Sequence, residues 1–238
     1  MYDSTRNVTI TYDEIWAGYA VTGSDFTYVS GSWTVTEPDC SKTRNSWSSE
    51  WVGIDGFLSD TVEQIGTDTD CFGDKPYYWV WYEFYPLGNV ILTKEVSIAP
   101  GDRFLASVTY DGDNEYTVAI KNDTTGESFS RKVEFKGAYG SGMPQRISAE
   151  WIMEMDSGDK SNDLTDFGTD SFGQYYTGVS GGADTATDSS ASGVITDFGN
   201  AVYELITTRR GSNGSPKTAV PSALAPDDSS FKVTWKSE

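Results

Sequence analysis

Histidine is absent from this 238-residue chain, and cysteine, positive charge and long apolar runs are scarce. Without histidine the chain cannot build a Ser-His-Asp or Cys-His catalytic group. With only two cysteines it also has few of the ligands that zinc prefers. No apolar stretch approaches the roughly 20 residues that cross a bilayer as a helix. These absences exclude most familiar hydrolytic machinery, and we expect no metal and no cofactor.

Positive charge is outnumbered, with 17 Lys and Arg against 36 Asp and Glu, a net charge of −19 and a pI near 4.2. So acidic a surface repels nucleic acid and anionic membranes, and we expect neither as a partner. Solubility alone explains such a charge. It also suits an acid medium, because self-repulsion fades as carboxylates protonate near their reference pKa of about 4. We expect a monomer.

The two cysteines, Cys40 and Cys71, bracket the segment Trp51–Gly66. A free reduced pair is possible, but a disulfide would hold both ends of this segment and contribute roughly 3 kcal/mol. A disulfide favours an oxidising compartment outside the cytoplasm, so we expect a secreted protein. The opening residues Met1 to Ser4 do not resemble a signal peptide, so either a leader has been removed or the protein was never exported.

Short alternating segments rich in aromatic residues, separated by glycine-containing turns, predict an all-β fold. Sustained helical periodicity is hard to find. The number and spacing of the segments favour a β-sandwich, with residues 1–238 forming a single domain. The predicted strands include Asn7–Tyr12, Phe26–Val35 with a break at Ser30-Gly31, Val90–Ile98, Phe104–Tyr110, Tyr116–Lys121 and Ser128–Val133.

Four of the strands place carboxylates, an amide and aromatic rings on one face and apolar side chains on the other, because side chains alternate along a strand. Ordinary solvent-facing positions would explain any one of these residues. Trp and Tyr interleaved with acidic and amide groups are more typical of a binding groove. The positions are Trp51, Asp55, Gln64, Asp68, Trp79, Trp81, Glu83, Tyr85, Glu150 and Glu154.

A series of motifs runs through residues 15 to 155. They are Trp16-Ala-Gly-Tyr19, Gly31-Ser-Trp33, Trp51-Val-Gly-Ile-Asp-Gly56, Glu63-Gln64-Ile-Gly66, Trp81-Tyr-Glu-Phe-Tyr-Pro86, Ala99-Pro-Gly-Asp102, Thr124-Thr-Gly126 and Ala149-Glu150-Trp151-Ile. In this order they resemble the glutamic peptidases, or eqolisins, with the bacterial branch the nearer match. The resemblance implies a sandwich of two large antiparallel sheets, similar to concanavalin-type lectins, with an active-site groove on one concave face.

The same resemblance implies roles for individual residues. The catalytic Gln of the family falls on Gln64 and its catalytic Glu on Glu150. The substrate-binding residues fall on Trp51, Asp55, Asp68, Trp81, Glu83 and Tyr85. One departure lies beside the catalytic Gln: fungal members have Leu-Gln-Thr-Gly where this chain has Glu63-Gln64-Ile65-Gly66.

These residue types suit an acid-active endopeptidase on a polypeptide substrate, with Glu150 activating water and Gln64 stabilising the oxyanion. Asp55 and Glu83 would hydrogen-bond the substrate or the catalytic pair. Trp51, Trp81 and Tyr85 would form walls for substrate side chains.

Two alternatives stay open. A glycoside hydrolase or carbohydrate-binding domain could use the same fold, with Glu83 and Glu150 as a carboxylate pair. A structural or adhesion domain would need no catalysis at all.

Overall fold

The computed structural model describes residues 1–155, 163–208 and 217–237, and these residues are mostly strand. Two short helical segments are present, α1 (Gln174–Thr177) and a 3₁₀ segment (Ile195–Ala201). The strands are β1 (Tyr2–Asp3), β2 (Val8–Asp13), β3 (Trp16–Thr22), β4 (Tyr28–Thr34), β5 (Asn45–Trp47), β6 (Ser49–Ile54), β7 (Val62–Phe72), β8 (Lys75–Tyr85), β9 (Asn89–Ile91), β10 (Arg103–Gly112), β11 (Glu115–Asn122), β12 (Ser128–Glu134), β13 (Ser148–Glu154), β14 (Asp163–Leu164), β15 (Thr169–Phe172), β16 (Thr185–Thr187), β17 (Ser192–Val194), β18 (Val202–Thr207), β19 (Lys217–Pro221) and β20 (Phe231–Ser237).

The strands form two stacked layers, which are joined where Thr207 of β18 in the first pairs with Ala219 of β19 in the second. The first sheet has the order β9–β8–β7–β6–β13–β3–β18–β2–β1. The second has the order β12–β11–β10–β4–β15–β20–β19, with the β16–β17 hairpin also paired to β4. Pairing is antiparallel except between β18 and β2 and between β14 and β5, within the described ranges. The predicted all-β sandwich of large antiparallel sheets is confirmed.

The core lies between the two sheets and is filled by alternate residues of their strands. Val52 and Ile54 of β6 and Trp151 of β13 point inward from the first sheet, and Trp33 and Phe104 point inward from the second. All five are fully buried. Burying each such side chain contributes about 1.5–3 kcal/mol, so the inward face of these strands anchors the outward face that carries the polar residues.

Strand β4 is continuous where the sequence predicted a break at Ser30-Gly31. Gly31 faces the core, and a Cβ there would lie 2.7 Å from Cδ1 of Trp151 and 2.6 Å from Oδ1 of Asp184. The glycine therefore makes room for a ring and a carboxylate from other elements, and it does not interrupt the strand.

Residues 90–98 are not one strand as predicted, because β9 ends at Ile91. The Leu92 carbonyl accepts hydrogen bonds from the backbone N–H groups of Glu95 and Val96, at 2.9 and 3.0 Å. This turn lets Leu92 and Val96 both reach the core.

The disulfide between Cys40 and Cys71 is confirmed, with the two Cα atoms 5.4 Å apart. It ties the segment before β5 to the far end of β7, whose near end carries Gln64. In the described part of the chain, no helix combines the length and apolar character needed to cross a membrane.

Candidate active site

One row of directly paired residues crosses the first sheet and carries both predicted catalytic residues. Residues opposite one another on neighbouring strands project from the same side of a sheet. The row therefore lies on one face, and it is the outward face, since the intervening residues point into the core. Its members are Tyr203, Ala20, Glu150, Gly53, Gln64 and Glu83.

Gly53 separates Glu150 from Gln64 in this row. Two strand spacings put the Cα atoms of Glu150 and Gln64 about 9.5 Å apart. A Cβ on Gly53 would lie 3.2 Å from Cβ of Gln64 and 3.0 Å from Cζ3 of Trp51. Because glycine has no side chain, no side chain of β6 stands between the carboxyl and the amide.

The Gln64 amide is held by Glu83, the next residue of the row. Its Nε2 donates a hydrogen bond of 2.7 Å to Oε2 of Glu83. The carboxylate accepts only one of the two amide N–H groups, so the second can serve another acceptor. Gln64 is 6% exposed. Glu83 thus fixes which end of the amide is the donor.

The Glu150 side chain is fully buried, and neither carboxylate oxygen makes a hydrogen bond of normal geometry to a described residue. Burial raises the pKa of Glu150 well above its ordinary range, and the negative charges of Asp55 and Glu63 raise it further. The Ser148 hydroxyl and the Phe57 backbone N–H act in the opposite direction. The carboxyl is therefore poised to hold a proton over a wide pH range.

A groove of about 900 Å³ runs beside this row along β7 and β8. From Val62 to Asp70 the strand covers about 27 Å, the length of about eight extended residues. The lining residues are Ile15, Trp16, Trp47, Ser49, Gly56, Ser59, Asp60, Val62, Gln64, Asp68, Asp70, Trp81, Glu83, Tyr85, Pro86, Asn89, Tyr139, Gly140, Ser141 and Glu154. These dimensions suit an extended polymer.

Five carboxylates line the groove, and among the described residues that line it none is Lys or Arg. Asp68 accepts hydrogen bonds from Oγ of Ser49 at 2.7 Å and from Nε1 of Trp81 at 2.5 Å. Glu154 accepts one from Nε1 of Trp51 at 2.8 Å. Aromatic N–H donors thus orient the acidic side chains along the groove.

Five of the residues predicted from the resemblance line this groove: Gln64, Asp68, Trp81, Glu83 and Tyr85. Trp51 does not, because its ring is fully buried beneath the groove floor, edge-on to Trp16 at 4.9 Å between ring centroids. It supports the groove from below. The roles of all these residues in binding and catalysis stay predictions.

Asp55 is also absent from the groove lining, so the inference from strand parity that it faces the groove is wrong. Its backbone φ is +69°, which ends the strand alternation at Ile54. The carboxylate is buried and accepts the backbone N–H groups of residues 145, 146 and 147 at 2.7 to 2.9 Å. Asp55 therefore fixes the chain that leads into β13 and Glu150.

Several groove residues were missed from the sequence. Asp70 continues the alternation of Gln64 and Asp68 and could have been found from parity. Trp16 begins the motif Trp16-Ala-Gly-Tyr19, which by itself indicates no role for the ring. Tyr139 lies in a glycine-rich turn with no periodic signal, and it is fully exposed at the groove rim. Within residues 1–155, 163–208 and 217–237, no group of three or more His, Cys, Asp or Glu could hold a metal ion.

Known proteins share both the sequence pattern and the fold. Aspergillopepsin-2 of Aspergillus niger is 31% identical over 186 residues, which are 68% of this chain and 63% of that protein. The chain thus spans less than two thirds of the length of this curated relative.

Among solved structures, scytalido-glutamic peptidase with a transition state analog inhibitor superposes with a TM-score of 0.71 at 23% identity. The match covers 94% of this chain and 99% of that one. Aspergilloglutamic peptidase of Aspergillus niger superposes with a TM-score of 0.58 at 25% identity, over 80% of this chain and 99% of that one. The sequence profile of the Peptidase A4 family matches residues 14–215. This chain therefore belongs to the Peptidase A4 family, the glutamic peptidases.

Proposed function

We propose that this protein is an acid-active endopeptidase in which Glu150 activates a water and Gln64 stabilises the oxyanion. The observation that carries the proposal is the shared row: the carboxyl and the amide project from one face with only Gly53 between them. Family membership supports the same reaction class.

In the first step, the Glu150 carboxylate removes a proton from water while the water oxygen attacks the carbonyl carbon of the scissile peptide bond. The carbonyl becomes an oxyanion, which accepts the N–H of Gln64 that Glu83 does not occupy. An amide does not titrate, so this donor keeps its function in acid.

In the second step, the protonated Glu150 donates its proton to the nitrogen of the leaving amine, and the C–N bond breaks. A carboxylic acid and an amine leave, and Glu150 is a carboxylate again. The same group serves as base and then as acid, which requires a pKa that lets it exchange a proton readily with the reactants.

The substrate is an extended polypeptide with several residues on either side of the scissile bond. The groove length of about eight extended residues supports this class. The acidic lining favours peptides with basic side chains. The Cys40–Cys71 disulfide supports an oxidising location outside the cytoplasm.

The glycoside hydrolase alternative is less well supported. A retaining glycosidase needs two carboxyl groups about 5–5.5 Å apart. Glu150 and Glu83 are three strand spacings apart, about 14 Å between Cα atoms, and Gln64 stands between them. Glu83 is moreover engaged with the Gln64 amide.

The test is digestion of acid-denatured haemoglobin at pH 3–5 by the wild type and by Glu150→Gln, with release of reducing sugar from polysaccharides assayed in parallel. We expect cleavage by the wild type and a loss of at least about 100-fold in Glu150→Gln. Full activity in the variant would remove Glu150 from the mechanism. Sugar release without proteolysis would support the glycosidase instead.

A further inference from the structure

A short segment, residues 56–60, lies between Glu150 and the groove, and we call it the cover segment. Gly56, Ser59 and Asp60 line the groove on one side of it. On its other side the backbone N–H of Phe57 approaches the Glu150 carboxyl. A substrate in the groove therefore meets the cover segment before it meets the carboxyl.

An aromatic pair holds this segment down. The Phe57 ring packs against Tyr203, with 4.9 Å between ring centroids. Tyr203 belongs to the same row as Glu150 and is separated from it only by Ala20, whose methyl group leaves space above the sheet. Both rings pack against the apolar cluster that includes Ala20, Ile152 and Leu205. They therefore cover the side of Glu150 away from Gln64.

The segment has few other attachments. Of its two apolar side chains, Phe57 packs on the sheet, whereas Leu58 is 58% exposed. At its start Asp55 and Gly56 both have positive φ, at +69° and +109°. Asp55 is anchored by three backbone N–H groups, so movement of the segment would begin just after it.

The Glu150 carboxyl, closed off in this way, has no hydrogen-bond partner of normal geometry and is fully buried. A buried polar group without a partner is costly. The free energy is recovered when a water or a substrate group reaches the carboxyl, so the closed arrangement favours an opening that is coupled to binding.

We propose that the cover segment, held by Phe57 against Tyr203, swings away from Glu150 when a peptide binds and admits water and the scissile bond to the carboxyl. Phe57 and Tyr203 are thus positioning residues. This inference rests on the proposed function, because it assigns to Glu150 the activation of water.

The titratable groups around the carboxyl set the direction of the effect. Asp55 at the end of β6 and Glu63 on β7 are the carboxyl groups whose charge, when they are ionised, raises its pKa. On the face of the sheet that carries Glu150, Tyr203 of β18 is titratable and Ala20 of β3 adds no titratable group. In the closed arrangement burial holds the pKa of Glu150 high. Opening hydrates the carboxylate and lowers that pKa towards the ordinary range of a glutamate, so Glu150 can act as a base in a more acid medium.

The first experiment compares Phe57→Ala with Leu58→Ala, a matched loss of an apolar side chain from the same segment. The measurement is the pH dependence of kcat/KM, with kcat and KM resolved, on a fluorogenic peptide built from a mapped haemoglobin cleavage site. We expect Phe57→Ala to move the acid limb to lower pH by about half a unit or more, because water reaches Glu150 more easily. Leu58→Ala should follow the wild type.

The second position gives an independent check. Tyr203→Ala should shift the limb in the same direction, and Tyr203→Phe, which keeps the ring, should restore the wild-type profile. Should Phe57→Ala not fold, this pair decides. If the acid limb of the kcat/KM profile does not shift in Tyr203→Ala, or in a Phe57→Ala variant that folds, the proposed opening of the cover segment is wrong.

Hydrogen exchange supplies a readout that does not need turnover. In Glu150→Gln, the amides of residues 56–60 should exchange faster when the peptide is bound than when it is absent. Unchanged or slower exchange means that the segment does not open and overturns the inference. If the wild type leaves haemoglobin intact in acid, the proposed function itself fails. If the wild type cleaves haemoglobin while the cover segment stays closed, only the proposed opening of the cover segment is wrong.

Discussion

The two faces of strand β7 carry neighbouring polar residues in opposite surroundings. Gln64 points to the groove, and its amide donates to Glu83. Glu63 points to the core, where it is fully buried and neither carboxylate oxygen has a partner of normal geometry. One residue along the strand thus separates an amide directed to the groove from a carboxyl whose pKa burial raises well above its ordinary range, which favours the protonated form.

The same contrast holds for the carboxyl groups of the whole sandwich. Those of the groove are oriented by donors such as Trp81 on Asp68. Those between the sheets have their pKa raised well above the ordinary range, with burial as the main cause. They are Glu50, Glu63, Asp170 and Asp184.

The contrast teaches that acid serves two separate needs. In the core, protons make buried carboxyl groups neutral and compatible with an apolar interior. Beside the groove, acid conditions set the protonation state of Glu150. Acid conditions therefore stabilise the fold as well as serving the proposed reaction.

The strongest predicted change is a loss of folding free energy as the pH rises. Each raised pKa adds stability that is fully present below the unfolded-state pKa of about 4 and is lost as the pH rises through the folded-state pKa. The loss is about 1.4 kcal/mol per carboxyl for each unit of pKa elevation, and several carboxyls contribute. Urea unfolding at pH 4 and pH 7.5, followed by tryptophan fluorescence, measures it. Equal free energies of unfolding at the two pH values would contradict the contrast.

The second prediction concerns catalysis and tests the groove face of β7. Gln64→Ala removes the proposed oxyanion donor, and we expect kcat to fall about 100- to 1,000-fold, equivalent to about 3–4 kcal/mol. The free energy of unfolding at pH 4 should change by much less, since the side chain lies outside the core. Glu63→Leu, one residue away, is the control and should keep its activity in acid. Comparable losses of kcat in both variants would contradict the assignment of catalysis to the groove face of β7 alone.

The core face gives the third prediction. Glu63→Leu should increase the free energy of unfolding at pH 7.5 by about 1.4 kcal/mol or more and change it little at pH 4, because the wild-type carboxyl is already neutral there. Leu is close to Glu in volume, so its size is compatible with the site. Glu14→Leu, on an exposed turn, is the matched control. If Glu63→Leu raises the free energy of unfolding equally at both pH values, then packing around residue 63, and not its charge, limits the stability of the wild type.

The smallest effect concerns substrate charge. A peptide with Lys a few positions from the scissile bond should be cleaved a few-fold faster than the same peptide with norleucine, equivalent to about 0.2–1 kcal/mol. Glu154→Gln should reduce the preference, and so should added salt. Equal rates on both peptides would show that the acidic lining does not select the substrate.

Much of the fold could be predicted from the alternation of polar and apolar residues along the strands. The strands around Trp51, Gln64 and Glu150 were predicted with their faces, because an apolar core demands one apolar side from each strand. Alternation failed at Asp55, where a positive φ turns the chain. Alternation also could not show that Gly31 leaves space for the ring of Trp151, because that ring belongs to a different strand, β13.

Side-chain alternation and the series of motifs were enough to predict a sandwich, polar faces that carry Gln64 and Glu150, and the glutamic peptidase family. The folded chain was needed to show that Gly53 stands between the two residues, that Phe57 packs on Tyr203 and that Trp51 lies beneath the groove floor. Strand register explains the difference. Side-chain direction is encoded locally, every second residue, whereas distances across strands depend on how distant segments pair and on which loops fold back over them.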